Sequence, residues 1–169
     1  MTIADLNRLD QAQFVAALAN IYEHSPWVPE RAWPRRPFAN IDDLHAAMAA
    51  VVAAAGKDEQ LALIRAHPEL AGKAMAGRAL TAASAIEQSG AGLTHCTPDE
   101  LAHLRELNTR YNEKFGFPFI LAVKGYDRAG VIAEFVRRVD NGAADEFAES
   151  LRQIDKIARL RLEEQIERS

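Results

Sequence analysis

The chain has 169 residues, with 20 Lys and Arg against 24 Asp and Glu and a net charge of -4. This balance, with the basic residues dispersed, argues against a nucleic-acid partner, because phosphate binding needs clustered Lys and Arg. Hydrophobic residues at 49% and charged residues at 26% fit one soluble domain spanning residues 1–169, and no apolar run approaches the ~20 residues of a membrane span.

In chain order, nearly every segment reads as helix. Asp10, with Gln13 completing a capping box, starts a helix whose residues Phe14, Ala17, Leu18, Ile21 and Tyr22 follow helical spacing. Pro26, Pro29, Pro34 and Pro37 then mark a loop with one short helical turn, packed onto the core by Trp27, Trp33 and Phe38. An Ala-rich helix runs from Asn40 to Ala55 and Gly56 terminates it. Asp58 caps the next helix, which Pro68 ends at His67 by disfavouring helical geometry there. A further helix covers Thr81 to Gly90. Thr97-Pro98-Asp99-Glu100 is a helix start, with a Thr cap, Pro at the first helical position and Glu three residues after the cap. Gly116 stops that helix. Phe117 to Val123 is a continuous apolar run interrupted by Pro118, so it reads as extended and buried. A helix from Ala129 to Val139, a break at Asn141-Gly142 and a long helix from Ala144 to Gln165 complete the chain. The fold class is therefore all-α, a bundle of about seven to nine helices with one buried extended segment near 117–124. Strands alternating with helices, the signature of a parallel sheet, are absent.

Three polar residues stand where helical patterning expects something else. His67 is pinned at a helix end by the proline after it, and imidazole exchanges protons near neutrality. Helix C-termini favour histidine in any case, so a structural or surface role competes with a chemical one. On the last helix Phe147, Leu151, Ile154 and Ala158 form a stripe whose next member is Arg161, which turns an arginine toward the buried face. The competing reading is a structural salt bridge or a snorkelling side chain. Glu87 shares a face with Ser84 and Gln88, either as a wet surface or as a pocket wall. The adjacent pairs Arg35-Arg36 and Arg137-Arg138 read as solvated surface.

His95-Cys96 with His103 matches no zinc spacing, so no metal site is expected. Glycine-rich phosphate loops, nucleotide fingerprints and nucleophile elbows are absent, which points to chemistry without a cofactor. Cys96 is the single cysteine; with no signal peptide at the first residues and no peroxisomal ending at the last, cytoplasm is the expected location.

These residues together carry a resemblance. Ser25-Pro26-Trp27 with Arg36-Pro37-Phe38, the His67-Pro68-Glu69-Leu70-Ala71 block, and Ser84 with Glu87-Gln88 and Ala91-Gly92-Leu93 occur in this order. Tyr111-Asn112, Lys114 to Ile120, and Ile157-Ala158-Arg159-Leu160-Arg161-Leu162 follow. In order and spacing the chain resembles the decarboxylases of uric acid breakdown that act on 2-oxo-4-hydroxy-4-carboxy-5-ureidoimidazoline (OHCU). The Leu93 to Cys96 stretch departs from the acidic loop of that family.

The resemblance implies an all-helical, cofactor-free enzyme converting OHCU to (S)-allantoin and carbon dioxide. It implies a catalytic His67 aided by Glu87 and Arg161. Pro68, the segment Ser84, Ala85, Ile86, Glu87 and Gln88, and the segment Phe119, Ile120, Leu121, Ala122 and Val123 would contact the substrate. It also implies a homodimer. Two other classes stay open on the residues alone. One is a non-catalytic helical module binding a ureide or purine-derived ligand; the other is an interaction domain using Trp27, Trp33 and Phe38 as a partner surface.

Overall fold

Five helix starts in this chain are set by side chains that accept the first free backbone N–H groups. The computed structural model describes residues 1–70 and 82–167, and nine α-helices lie among them with no strand. They are α1 (Ile3–Arg8), α2 (Gln11–Ala17), α3 (Trp27–Ala32), α4 (Ile41–Ala54), α5 (Lys57–Arg65), α6 (Ala82–Gly90), α7 (Pro98–Phe115), α8 (Arg128–Val139) and α9 (Ala143–Gln165). Capping boxes open α1 at Thr2, α2 at Asp10 and α7 at Thr97. Asn40 and Asp127 cap α4 and α8. Gly116, at φ +75°, ends α7 in the left-handed conformation that glycine adopts without a Cβ penalty.

The all-α class and most boundaries follow the sequence reading, and the departures have physical causes. The helix from Asp10 stops at Ala17, and Ile21 and Tyr22 are buried in the turns that follow. Gln165 Nε2 donates to the Ala17 carbonyl and Arg161 Nη1 to that of Asn20 at 3.0 Å. Long-range side chains thus take the place of the next helical turn. Gly56, not Asp58, occupies the cap position of α5, and Asp58 and Glu59 sit in its first turn, where acidic groups suit the helix dipole. The Pro-rich stretch holds a full helix, α3, followed by a 3-10 turn at Trp33–Arg35. Helix α1 has no counterpart in the sequence reading. Thr81 and Ala71 of the His67 block lie outside the described residues.

The chain forms two compact units. The first is residues 1–66 with 155–169, and the second is residues 67–154. In the first, Leu6, Phe14, Val28, Leu44 and Met48 are buried. Phe38 stacks on Phe14 with ring centroids 6.1 Å apart, and the Trp33 indole N–H donates to the Leu9 carbonyl at 3.2 Å. The second is centred on aromatic rings. Phe119 stacks on Phe135 at 4.0 Å, and Tyr111 meets Phe119 edge-on at 5.5 Å. The run after Gly116 is buried and free of helix, as its composition predicts. No helix among the described residues is long and apolar enough to cross a membrane.

Candidate active site

His67 opens the second unit, two residues beyond the end of α5, and is only 7% exposed. The backbone just after it is tied down. Asn108 Nδ2 of α7 donates to the Leu70 carbonyl at 3.0 Å, and Asn112 Nδ2 donates to Glu69 Oε1 at 2.7 Å. Gln88 Nε2 of α6 approaches the Glu69 carbonyl at 3.5 Å. The segment after the proline is thus fastened to α7, with α6 alongside.

On α6 the inward stripe is Ser84 and Gln88, both buried, one helical turn apart. This disposes of the wet-surface reading for these two side chains. Glu87 is half-buried beside them and Ala85 is half-buried. The Ile86 side chain points outward, 69% exposed.

The segment 119–123 is gripped from two helices. Arg138 of α8 donates to the Ile120 carbonyl at 2.6 Å, and its guanidinium lies 4.4 Å from the Phe119 ring centroid. The Ala122 N–H donates to Gln153 Oε1 of α9 at 3.0 Å. Arg138 is 0% exposed, so the solvated reading of Arg137-Arg138 fails for its second member. Val131, Phe135 and Arg138 follow one another at four and three residues, the inward stripe of α8. The same spacing that singled out Arg161 could have found Arg138. Its charge is matched by buried Glu146, with Nη2 2.8 Å and Nε 3.1 Å from Oε2. Glu146 also accepts from the Tyr111 hydroxyl at 2.5 Å and from Asn141 Nδ2 at 3.0 Å. Burial pushes the Glu146 carboxyl up, but the hydrogen bonds from Arg138, Tyr111 and Asn141 outweigh it and hold the group below its ordinary value. Burial and the neighbouring carboxylate push the Tyr111 phenol up.

Arg161 belongs to the first unit and does point inward, 6% exposed. Its Nη2 donates to Glu23 Oε1 at 2.9 Å, and Glu23 is itself buried. Sequence reasoning missed Glu23, which sits in a turn where no periodicity reports direction. It neighbours the Ser25-Pro26-Trp27 block, and that proximity was the available signal. His67, Pro68, Ser84 to Gln88 and 119–123 thus lie in one unit and Arg161 in the other. No three His, Cys, Asp or Glu side chains among the described residues gather as metal ligands would.

Residues 7–163 match the family model described as OHCU decarboxylase. The 2-oxo-4-hydroxy-4-carboxy-5-ureidoimidazoline decarboxylase of Haloferax volcanii is 42% identical, over 97% of this chain and 95% of that protein. The mouse (Mus musculus) protein of the same name is 38% identical, over 96% of this chain and 91% of its own. A crystal structure of (S)-allantoin synthase matches with a TM-score of 0.80 and 33% identity, covering 98% of this chain. The chain spans 54% of the length of that solved chain.

Proposed function

The chain belongs to the OHCU decarboxylase family, and from that premise we propose that it converts OHCU to (S)-allantoin and carbon dioxide in urate breakdown. It acts as a carboxy-lyase, and the whole chain serves as one decarboxylase domain. The observation that carries this reading is a relationship to decarboxylases over nearly the full length, with His67 buried and its segment fastened to α7.

The substrate's carboxylate sits on a ring carbon that also bears a hydroxyl, next to a ring imine. When the carbon–carboxylate bond breaks, its electron pair moves into the adjacent bond and the imine nitrogen accepts the displaced pair. Carbon dioxide leaves and an enol-like intermediate remains. Protonation of its carbon from one face sets the stereocentre. The substrate thus holds its own electron sink, which is why the reading calls for no cofactor.

His67 exchanges a proton with the hydroxyl or the developing intermediate, work that contributes about 100- to 10,000-fold. Glu87 orients the imidazole or holds the hydroxyl. Arg161 steadies the anionic substrate or the charge that develops on the ring. A tight grip on the carboxylate would be counterproductive, because that charge is lost on the way to the transition state. Pro68, Ser84, Ala85, Ile86 and Gln88 form one wall with Glu87. Phe119 to Val123 form another, offering amides and carbonyls to the ureido and ring edges while apolar side chains exclude water. The working form is a homodimer, and the working compartment is the cytoplasm.

The test is to follow freshly generated OHCU by circular dichroism with and without the protein. Rapid appearance of one allantoin enantiomer is expected, and a racemic product at the background rate would sink the activity. His67→Ala should keep the far-ultraviolet spectrum and lose about 100-fold or more of the acceleration. Turnover like that of the unmodified protein would remove the proton-transfer role.

A further inference from the structure

The buried ion pair of the second unit does more than neutralise charge. Of the Arg138 guanidinium nitrogens, Nε and Nη2 face Glu146 and Nη1 faces the Ile120 carbonyl. Glu146 is in turn locked by Tyr111 and Asn141. The guanidinium therefore cannot rotate without losing several charge-assisted bonds at once. A second tether, between the Ala122 N–H and Gln153 Oε1, acts two residues further along the same segment. The Gln153 amide is itself fixed, since Nε2 donates to Glu149 Oε1 at 2.8 Å. Tethers at residues 120 and 122 thus fix two backbone groups within one short segment.

We infer that Arg138 and Gln153 are positioning residues, whose two tethers hold the backbone of Phe119–Val123 in the shape that receives the ligand. The inference rests on the proposed function, because it takes that segment as a substrate wall. A structural salt bridge alone would need no bond to the Ile120 carbonyl. An arginine also suits this place better than a lysine, because only a planar fork can serve a carboxylate and a carbonyl together.

The experiment compares Arg138→Lys, Gln153→Leu and the exchanged pair Glu149→Gln with Gln153→Glu. The exchanged pair keeps an acceptor for the Ala122 N–H and a hydrogen bond between positions 149 and 153. Hydrogen exchange is read over a peptide covering 117–124, with α4 as internal control, and KM and kcat for OHCU are read in parallel. Arg138→Lys and Gln153→Leu should quicken exchange over 117–124 while α4 stays unchanged. KM should rise about tenfold with kcat within about threefold, as expected for lost uniform binding. The exchanged pair should return KM to within about threefold of the unmodified protein. If Arg138→Lys does not fold, Gln153→Leu and its exchanged partner carry the test alone.

Faster exchange with unchanged KM in the folded variants would overturn the positioning role, as would unchanged exchange. So would an exchanged pair as impaired as Gln153→Leu. An unmodified protein without turnover sinks the proposed function and the ligand role with it. An active unmodified protein with indifferent variants sinks only the positioning role.

Discussion

Glu146 accepts hydrogen bonds from Arg138, Tyr111 and Asn141 while fully buried, and its native acidity differs accordingly from that of an unfolded glutamate. Because the folded carboxyl is held below its ordinary value, the charged form contributes stability above the unfolded pKa of about 4.3. That contribution is lost as pH falls through the lower folded value. Glu146→Gln should therefore cost about 3–5 kcal/mol at pH 7, since the arginine would stay buried without its counter-charge. In urea titrations the difference between the two proteins should shrink as pH drops below about 4. A constant difference across that range would show that the charge is not what stabilises. At this scale legibility was uneven. The inward direction of Arg161 was readable because helix α9 repeats reliably through Ile154 and Ala158. Arg138 was equally readable, but its exposed neighbour Arg137 made the pair look like surface. Glu146, Ser150 and Gln153 form a buried polar stripe, and in sequence such a stripe is indistinguishable from a wet face.

Elements were read better than residues because their ends are local chemistry. The Thr97-Pro98-Asp99-Glu100 start reappears as a complete capping box, with the Thr97 side chain accepting from the Glu100 N–H at 3.1 Å. Thr97→Ala should lower stability by about 1 kcal/mol. Thr97→Asp should recover most of that, as followed by thermal melts. Equal losses in both variants would mean that the hydroxyl's packing, not its hydrogen bond, matters. The failures are instructive for the same reason. Helix α2 ends at Ala17 because Gln165 and Arg161, far away in sequence, satisfy carbonyls at the start of the following turns. No window around residues 18–22 contains that information. Segment 119–123 was legible as buried and non-helical from Pro118 and its apolar run. What holds it was not legible, since Arg138 and Gln153 lie 18 and 31 residues away from their backbone partners.

For the whole molecule, composition and helical periodicity carried the all-α class, and the ordered motifs carried the family. The division into two units was not legible, because it depends on which helices pack together and not on any shift in composition. Its first unit also contains both tryptophans of the chain, Trp27 and Trp33, beneath the guanidinium groups of Arg31 and Arg36 at 4.9 and 4.0 Å. Tyr111, by contrast, lies at the aromatic centre of the second unit. Intrinsic fluorescence excited at the indole band is therefore a private reporter of one unit, and in a Tyr22→Phe background, which removes the first unit's buried tyrosine, the near-ultraviolet tyrosine dichroism draws on the other. Helix α9 is shared by both, so neither unit unfolds alone without breaking a 23-residue helix. The two signals should trace a single denaturation curve. Separate midpoints would reveal an intermediate in which the indoles already see water while Tyr111 keeps its ordered surroundings.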